Sequence, residues 1–153
     1  MNSINTSCRI GVFYDGNFLL HASNYYNYIH PERRRLSLNG LHRFIRHRVA
    51  EEAGCETVKC QISVAHYFRG RLNASEAAMR GNQLYNDRVF DDILMSEGVN
   101  THYLPLRNVQ GRREERGVDV WLALEAYELV LSGAECRLLP YNQQVHYRYP
   151  STL

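Results

Sequence analysis

Two aspartates stand where an apolar segment gives way to a turn or begins a helix, and both could hold a hard divalent cation through oxygen. Asp15 follows the run RIGVFY and precedes Gly16-Asn17. Capping the next helix or shaping the turn is the competing use of its carboxylate. Asp119 heads the segment DVWLALEAYELVL and shares a helical face with Leu122, Ala123 and Ala126. A carboxylate leading so apolar a face is expected to point inward, where it needs a cation or several donors. Capping is again the alternative. Glu125 and Glu128 are the only charges inside that segment. Glu128 reads as a solvated edge. Glu125 lies about 120° around the helix from Asp119 and reaches a shared ion only if Asp119 precedes the regular helix. Asn17, two residues after Asp15, is either a turn residue or an amide that orients water or a phosphate oxygen.

The bases around these acids are of one kind. Lys59 is the single lysine, and every other basic residue is arginine, the side chain suited to bidentate phosphate contacts. Arg69 and Arg71 follow one apolar run, and Arg107, Arg112, Arg113 and Arg116 crowd a polar stretch before Asp119. These six are the expected phosphate-gripping set. Tyr67 and Phe68 lead to the first pair; they either stack bases or pack the core. No phosphate-cradling glycine motif, H-E-x-x-H or Ser/His/Asp pattern is present.

The elements that must position these residues follow from periodicity. Residues 9–14 read as a buried strand, 18–28 as a helix, and 38–53 as a helix with apolar Leu38, Leu41, Phe44, Ile45 and Val49, a basic outer face and a stop at Gly54. Residues 58–68 alternate as a second strand. A helix capped by Ser75 is expected to run, interrupted near Gly81, to Gly98. Residues 99–106 form a third strand, 107–117 a polar loop, and 119–131 a deeply buried helix. Strands separated by helices predict an α/β fold with a parallel sheet flanked by helices. Ligands then bind beyond the carboxyl ends of the strands, where Asp15, Arg69 and the segment before Asp119 converge.

Val12-Phe13-Tyr14-Asp15-Gly16-Asn17 and Glu115-Arg116-Gly117-Val118-Asp119-Val120 resemble the two signatures of the NYN family of PIN-like domains. Phe90-Asp91-Asp92-Ile93-Leu94, Gly98-Val99 and Leu104-Pro105-Leu106 resemble the helix and strand between them, so the likeness spans residues 9–131. The resemblance implies a PIN-like, Rossmann-like fold and a Mg²⁺- or Mn²⁺-dependent ribonuclease acting on RNA, single-stranded by expectation. It makes Asp15 and Asp119 metal ligands, matches Asn17 to the family's asparagine, and places Glu125 where many members carry an aspartate. The ion would neutralise the scissile phosphate and activate water. Family members usually continue with another strand and a Ser-Gly-Asp-x-Asp-Phe motif. Here no aspartate follows Asp119, and Ser132-Gly133 arrives too soon for an intervening strand. The alternative is therefore an RNA-binding or adaptor domain of the same fold without turnover.

The whole chain, 153 residues with 44% hydrophobic and 22% charged residues and a net charge of +2, suits one globular domain. Residues 1–131 are read as that domain and 132–153 as an atypical tail: a truncation, a substituted end or an altered frame. If the tail replaces a sheet strand, the bare edge invites a second copy of the chain. No membrane segment or secretory core is present, so the expected location is cytoplasmic and the four cysteines are expected reduced and buried.

Overall fold

The computed structural model describes residues 7–133 and 137–140. Its centre is β1 (Cys8–Asp15), whose side chains alternate between two covered faces. Ile10, Val12 and Tyr14 enter one core cluster, and Phe13 enters another. A strand covered on both sides reads as a continuous apolar run, which is why RIGVFY shows no polar alternation.

The first face is covered by helices. α1 (Gly16–Tyr28) contributes Leu19, and α2 (Leu38–Ala53) contributes Leu38, Leu41, Ile45, Val49 and Ala50. The Ser37 hydroxyl caps α2 by accepting from the Gly40 amide, and Gly54 ends it at φ 63°. The stop matches the expected one. Phe44, expected on the inner stripe, is exposed, and His42 takes the inner position instead. Its ring stacks on Tyr14 at 5.9 Å.

After a 3₁₀ turn at Thr57–Lys59, β2 (Cys60–Arg71) pairs in parallel with β1. The short α3 (Ala74–Ala78) is capped by Asn73, whose side chain accepts from the Glu76 amide; the cap expected at Ser75 thus falls two residues earlier. α4 (Gln83–Ser96) and β3 (Asn100–Pro105) follow the break at Gly81, φ 61°.

The expected loop between β3 and the last helix instead holds a hairpin, β4 (Arg107–Val109) and β5 (Arg112–Glu114). Gln110 and Gly111 both take positive φ, as a tight two-residue hairpin turn requires, and Asn108 Oδ1 accepts from the Gly111 amide. α5 (Val118–Leu131) then covers the second face, where Val118, Trp121, Leu122, Ala126 and Leu129 pack on Phe13 and Phe68. The expectation of a deeply buried helix fails. Val118 is its only buried residue, and Val120, Leu124 and Tyr127 are about 60% exposed (59%, 60% and 61%). An all-round apolar helix needs cover on every side, and the described elements supply it on one.

The sheet is parallel throughout, with order β3-β2-β1-β6, where β6 is Arg137–Pro140. β6 lies along β1 from Ile10 to Phe13, so the edge expected to be bare there is paired. The α/β class with helices on both faces is as expected. At the amino ends, Cys8 and Cys60 are register partners, and the Cys55 and Cys60 sulfurs lie 3.4 Å apart. All three described cysteines are free thiols, but only Cys60 is fully buried; burial pushes its thiol up to about 12. Cys136 lies outside the described residues. No described helix is long and apolar enough to cross a membrane.

Burial lowers the pKa of His42 against the opposing pull of Glu97, and burial beside His102 lowers that of His66. Both therefore bind a proton less readily in the folded chain than in the unfolded one. Their stabilising contribution is full above the unfolded value near 6.5 and declines as pH falls below it. The urea midpoint should drop between pH 7.5 and pH 5.5. In His42→Gln the drop should shrink without vanishing, since His66 still titrates; an unchanged drop would remove His42 from this account.

Candidate functional site at the carboxyl ends of the strands

Asp15 is the last residue of β1 and the N-cap of α1. Its Oδ1 accepts from the Asn17 amide at 2.9 Å and the Phe18 amide at 3.1 Å. The capping role is therefore real, and it occupies one of the two oxygens. Strand alternation sends Asp15 to the side of Phe13, the face that α5 covers. Asp119 lies in the first turn of α5, next to Val118, which packs against Phe13 and Phe68. The two residues thus stand at one end of the sheet. Asp119 is exposed, however, and does not point into the interior. The regular helix already begins at Val118, so Asp119 stands on its rim, where water solvates the carboxylate.

The chain turns sharply between β1 and α1 because Gly16 leaves room for Tyr67. A Cβ at Gly16 would come within 2.6 Å of the Tyr67 ring and hydroxyl and 2.8 Å of Arg69 Cβ. Gly70 allows a second close approach. Its amide donates to Glu115 Oε2 at 2.6 Å, and a Cβ there would meet Leu106 at 2.5 Å and Glu115 Cγ at 2.9 Å. Glu115 so fastens the segment entering α5 to the end of β2, which sets where Asp119 stands. Sequence reading assigned Glu115 no role. The glycine of Arg69-Gly70-Arg71 was the available signal, because a glycine late in a strand marks a close approach.

The other expected site residues separate. Asn17 is exposed in the first turn of α1, beside Asp15. Glu125 lies about 9 Å along α5 from Asp119, at 1.5 Å per residue. It accepts from the Trp121 indole at 3.0 Å and acts on His66. The structure does not bring it to the rim. Tyr67 and Phe68 are 1% and 0% exposed, so they are core and offer no face to a base. Burial raises the Tyr67 pKa against the pull of neighbouring Arg69.

The arginines divide into engaged and available. Arg71 pairs with Asp91 at 2.9 Å and lies over the Tyr103 ring, 4.5 Å from its centre. Tyr103 donates to Asp91 at 2.5 Å, and burial together with this bond raises the tyrosine's pKa. Arg113 pairs with Glu76, which ties the hairpin to α3, and Arg116 pairs with Glu114 at 3.2 Å. Arg71 and Arg113 are thus held by acids of other elements, whereas Arg116 is exposed and paired only with a near neighbour in the chain. Arg107 and Arg112 are exposed on the same face of the hairpin, and no ion pair engages them or Arg69 among the described residues. Arg80, unremarked in the sequence, joins Arg69 in lining a cleft of about 190 Å³ at the ends of β2 and β3.

Among the described residues no three or more His, Cys, Asp or Glu side chains group as a metal site. Asp15 has one oxygen outside its capping bonds and Asp119 is exposed, so each could serve a Mg²⁺ ion, which keeps several waters and takes one or two carboxylates. No family model, no curated protein and no solved structure matches the chain.

Removing the Glu115 carboxylate should loosen the entry to α5. Glu115→Ala leaves the Gly70 amide without its acceptor, a loss of about 1–3 kcal/mol. Urea unfolding would register it, and hydrogen exchange should accelerate at Gly70. Unchanged exchange there would show that the contact does not hold the segment.

Proposed function

We propose that this domain binds single-stranded RNA across the carboxyl-end rim of its sheet and hydrolyses it with Mg²⁺ or Mn²⁺ held by Asp15 and Asp119. The observation that carries this reading is that Asp15, at the cap of α1, and Asp119, in the first turn of α5, both stand at the carboxyl end of the sheet. The likeness of the segments around Asp15 and Asp119 to the NYN signatures supports the same chemistry.

The bound ion supplies charge neutralisation at the scissile phosphate and activation of water. Asp15 presents its second oxygen there while its first is held by the α1 amides, so the carboxylate is oriented before substrate arrives. Asp119 faces solvent and meets the ion without having to leave the core. Asn17 stands close enough in sequence to orient water or a phosphate oxygen. Arg69, Arg80, Arg107 and Arg112 supply the positive charge for flanking phosphates, since Arg71 and Arg113 are spent on internal pairs.

A second reading is RNA binding without turnover. The absence of a third grouped acid among the described residues favours it. Binding should then weaken with salt through arginine–phosphate contacts, and RNA length should stay unchanged in Mn²⁺.

Asp15→Asn discriminates sharply, because asparagine caps a helix about as well as aspartate. Fold and RNA affinity should persist, while Mn²⁺-dependent cleavage should fall by more than the roughly 10–100-fold typical of losing an outer-shell partner. Cleavage that survives Asp15→Asn would remove the metal assignment. Wild-type binding with no cleavage in Mn²⁺ would establish the second reading.

A further inference from the structure

We propose that the cleft at the ends of β2 and β3 is a guanine pocket for a nucleotide flanking the reacting phosphate; this rests on the RNA reading above. The Tyr67, Arg69 and Tyr103 side chains of the cleft lie on the face opposite Phe68 and His102, and Gly70 and Leu106 carry its lining round the strand ends. A strand crossing the rim would set its phosphate on one side and a base on the other.

α4 supplies the chemistry. Gln83, Asp87, Phe90 and Leu94 recur at helical spacing on its inner side. Leu94 is fully buried in the core, but Gln83, Asp87 and Phe90 pass beyond the core into the cleft. Gln83 Nε2 donates to Asp87 Oδ1 at 2.6 Å. A carboxylate can only accept, so this bond holds Asp87 in place and leaves Oδ2, with the remaining lone pair of Oδ1, as two adjacent acceptors on one carboxylate. Neighbouring Asp91 is different: Arg71 and the Tyr103 hydroxyl both engage it. Asp87 has no cationic partner among the described residues.

Two adjacent acceptors call for two adjacent donors. On the Watson–Crick edge only guanine has them, N1–H beside the N2 amine. Adenine and cytosine pair one amine with a ring acceptor, and uracil sets its single N–H between carbonyls. Single-stranded RNA presents that edge to protein side chains when a base is splayed out. Phe90 and Leu106 give the base apolar surface, and Arg69 and Arg80 stand where its phosphate would lie. Arginine supplies the backbone grip while the acceptor pair supplies the choice of base.

The test is anisotropy titration of the full chain, without divalent ions, against a short uridine-rich RNA bearing one guanosine, inosine or adenosine. Inosine lacks only the N2 amine. Guanosine should bind tighter than inosine by about fivefold or more, and than adenosine by at least as much. Asp87→Ala should erase that preference, so that any remaining change in affinity is the same for all three RNAs. Arg80→Ala should weaken all three RNAs alike. Equal affinities in the wild type, or a guanosine preference that survives Asp87→Ala, would overturn the pocket and leave the RNA reading standing. Failure of every RNA to bind would overturn both.

Discussion

The two-sided burial of β1 is the constraint on which everything else rests. With Ile10, Val12 and Tyr14 packed on one face and Phe13 on the other, the strand admits no charge between Ile10 and Tyr14. An unpaired carboxylate within it would be desolvated on both sides. Asp15 therefore appears at the first permitted position, and α1 begins immediately because Gly16 lets the chain fold back against Tyr67. The location of the carboxylate follows from packing before any ligand is considered. That the same residue caps α1 is compatible with a second use, since capping engages one oxygen only.

The strands and most helices were legible because their signals are local. β1, β2 and β3 follow from apolar runs bounded by turn residues, and Gly54 and Gly98 mark helix ends at positive φ. The hairpin was not legible, because Gln110-Gly111 lacks the usual asparagine or aspartate before the glycine. The roles of the arginines were illegible for a different reason. Arg71, Arg113 and Arg116 look like Arg69, Arg107 and Arg112 in the chain, and only their acidic neighbours separate them. For Arg71 and Arg113 those neighbours, Asp91 and Glu76, come from other elements, and no periodicity reports that.

α5 shows where hydropathy alone misleads. Its composition describes a helix surrounded by protein, yet among the described residues only the side bearing Val118, Trp121, Leu122, Ala126 and Leu129 is covered. Hydropathy reports what a helix tolerates on all sides; the sheet decides which side it uses. The inward expectation for Asp119 failed for the same reason. One residue past the buried Val118, the helix has already turned by about 100° and carries the carboxylate from the sheet to solvent. Exposure removes Asp119 as a buried anchor and leaves its carboxylate open to water.

The rim gains its asymmetry from the alternation of β2. The Arg69 side chain enters the cleft beside α4, and Gly70, which lines the same cleft, gives its amide to Glu115 on the approach to α5. One strand end thereby serves both surfaces: carboxylates on the α5 side, and cations with a carboxylate–amide pair on the α4 side. The separation has an electrostatic consequence. If Arg69 and Arg80 shared a face with Asp15 and Asp119, they would compete with a cation for the carboxylates. Set on the α4 side, they form no ion pair with Asp15 or Asp119 among the described residues, and the Glu115–Gly70 contact ties the end of β2 to the segment entering α5.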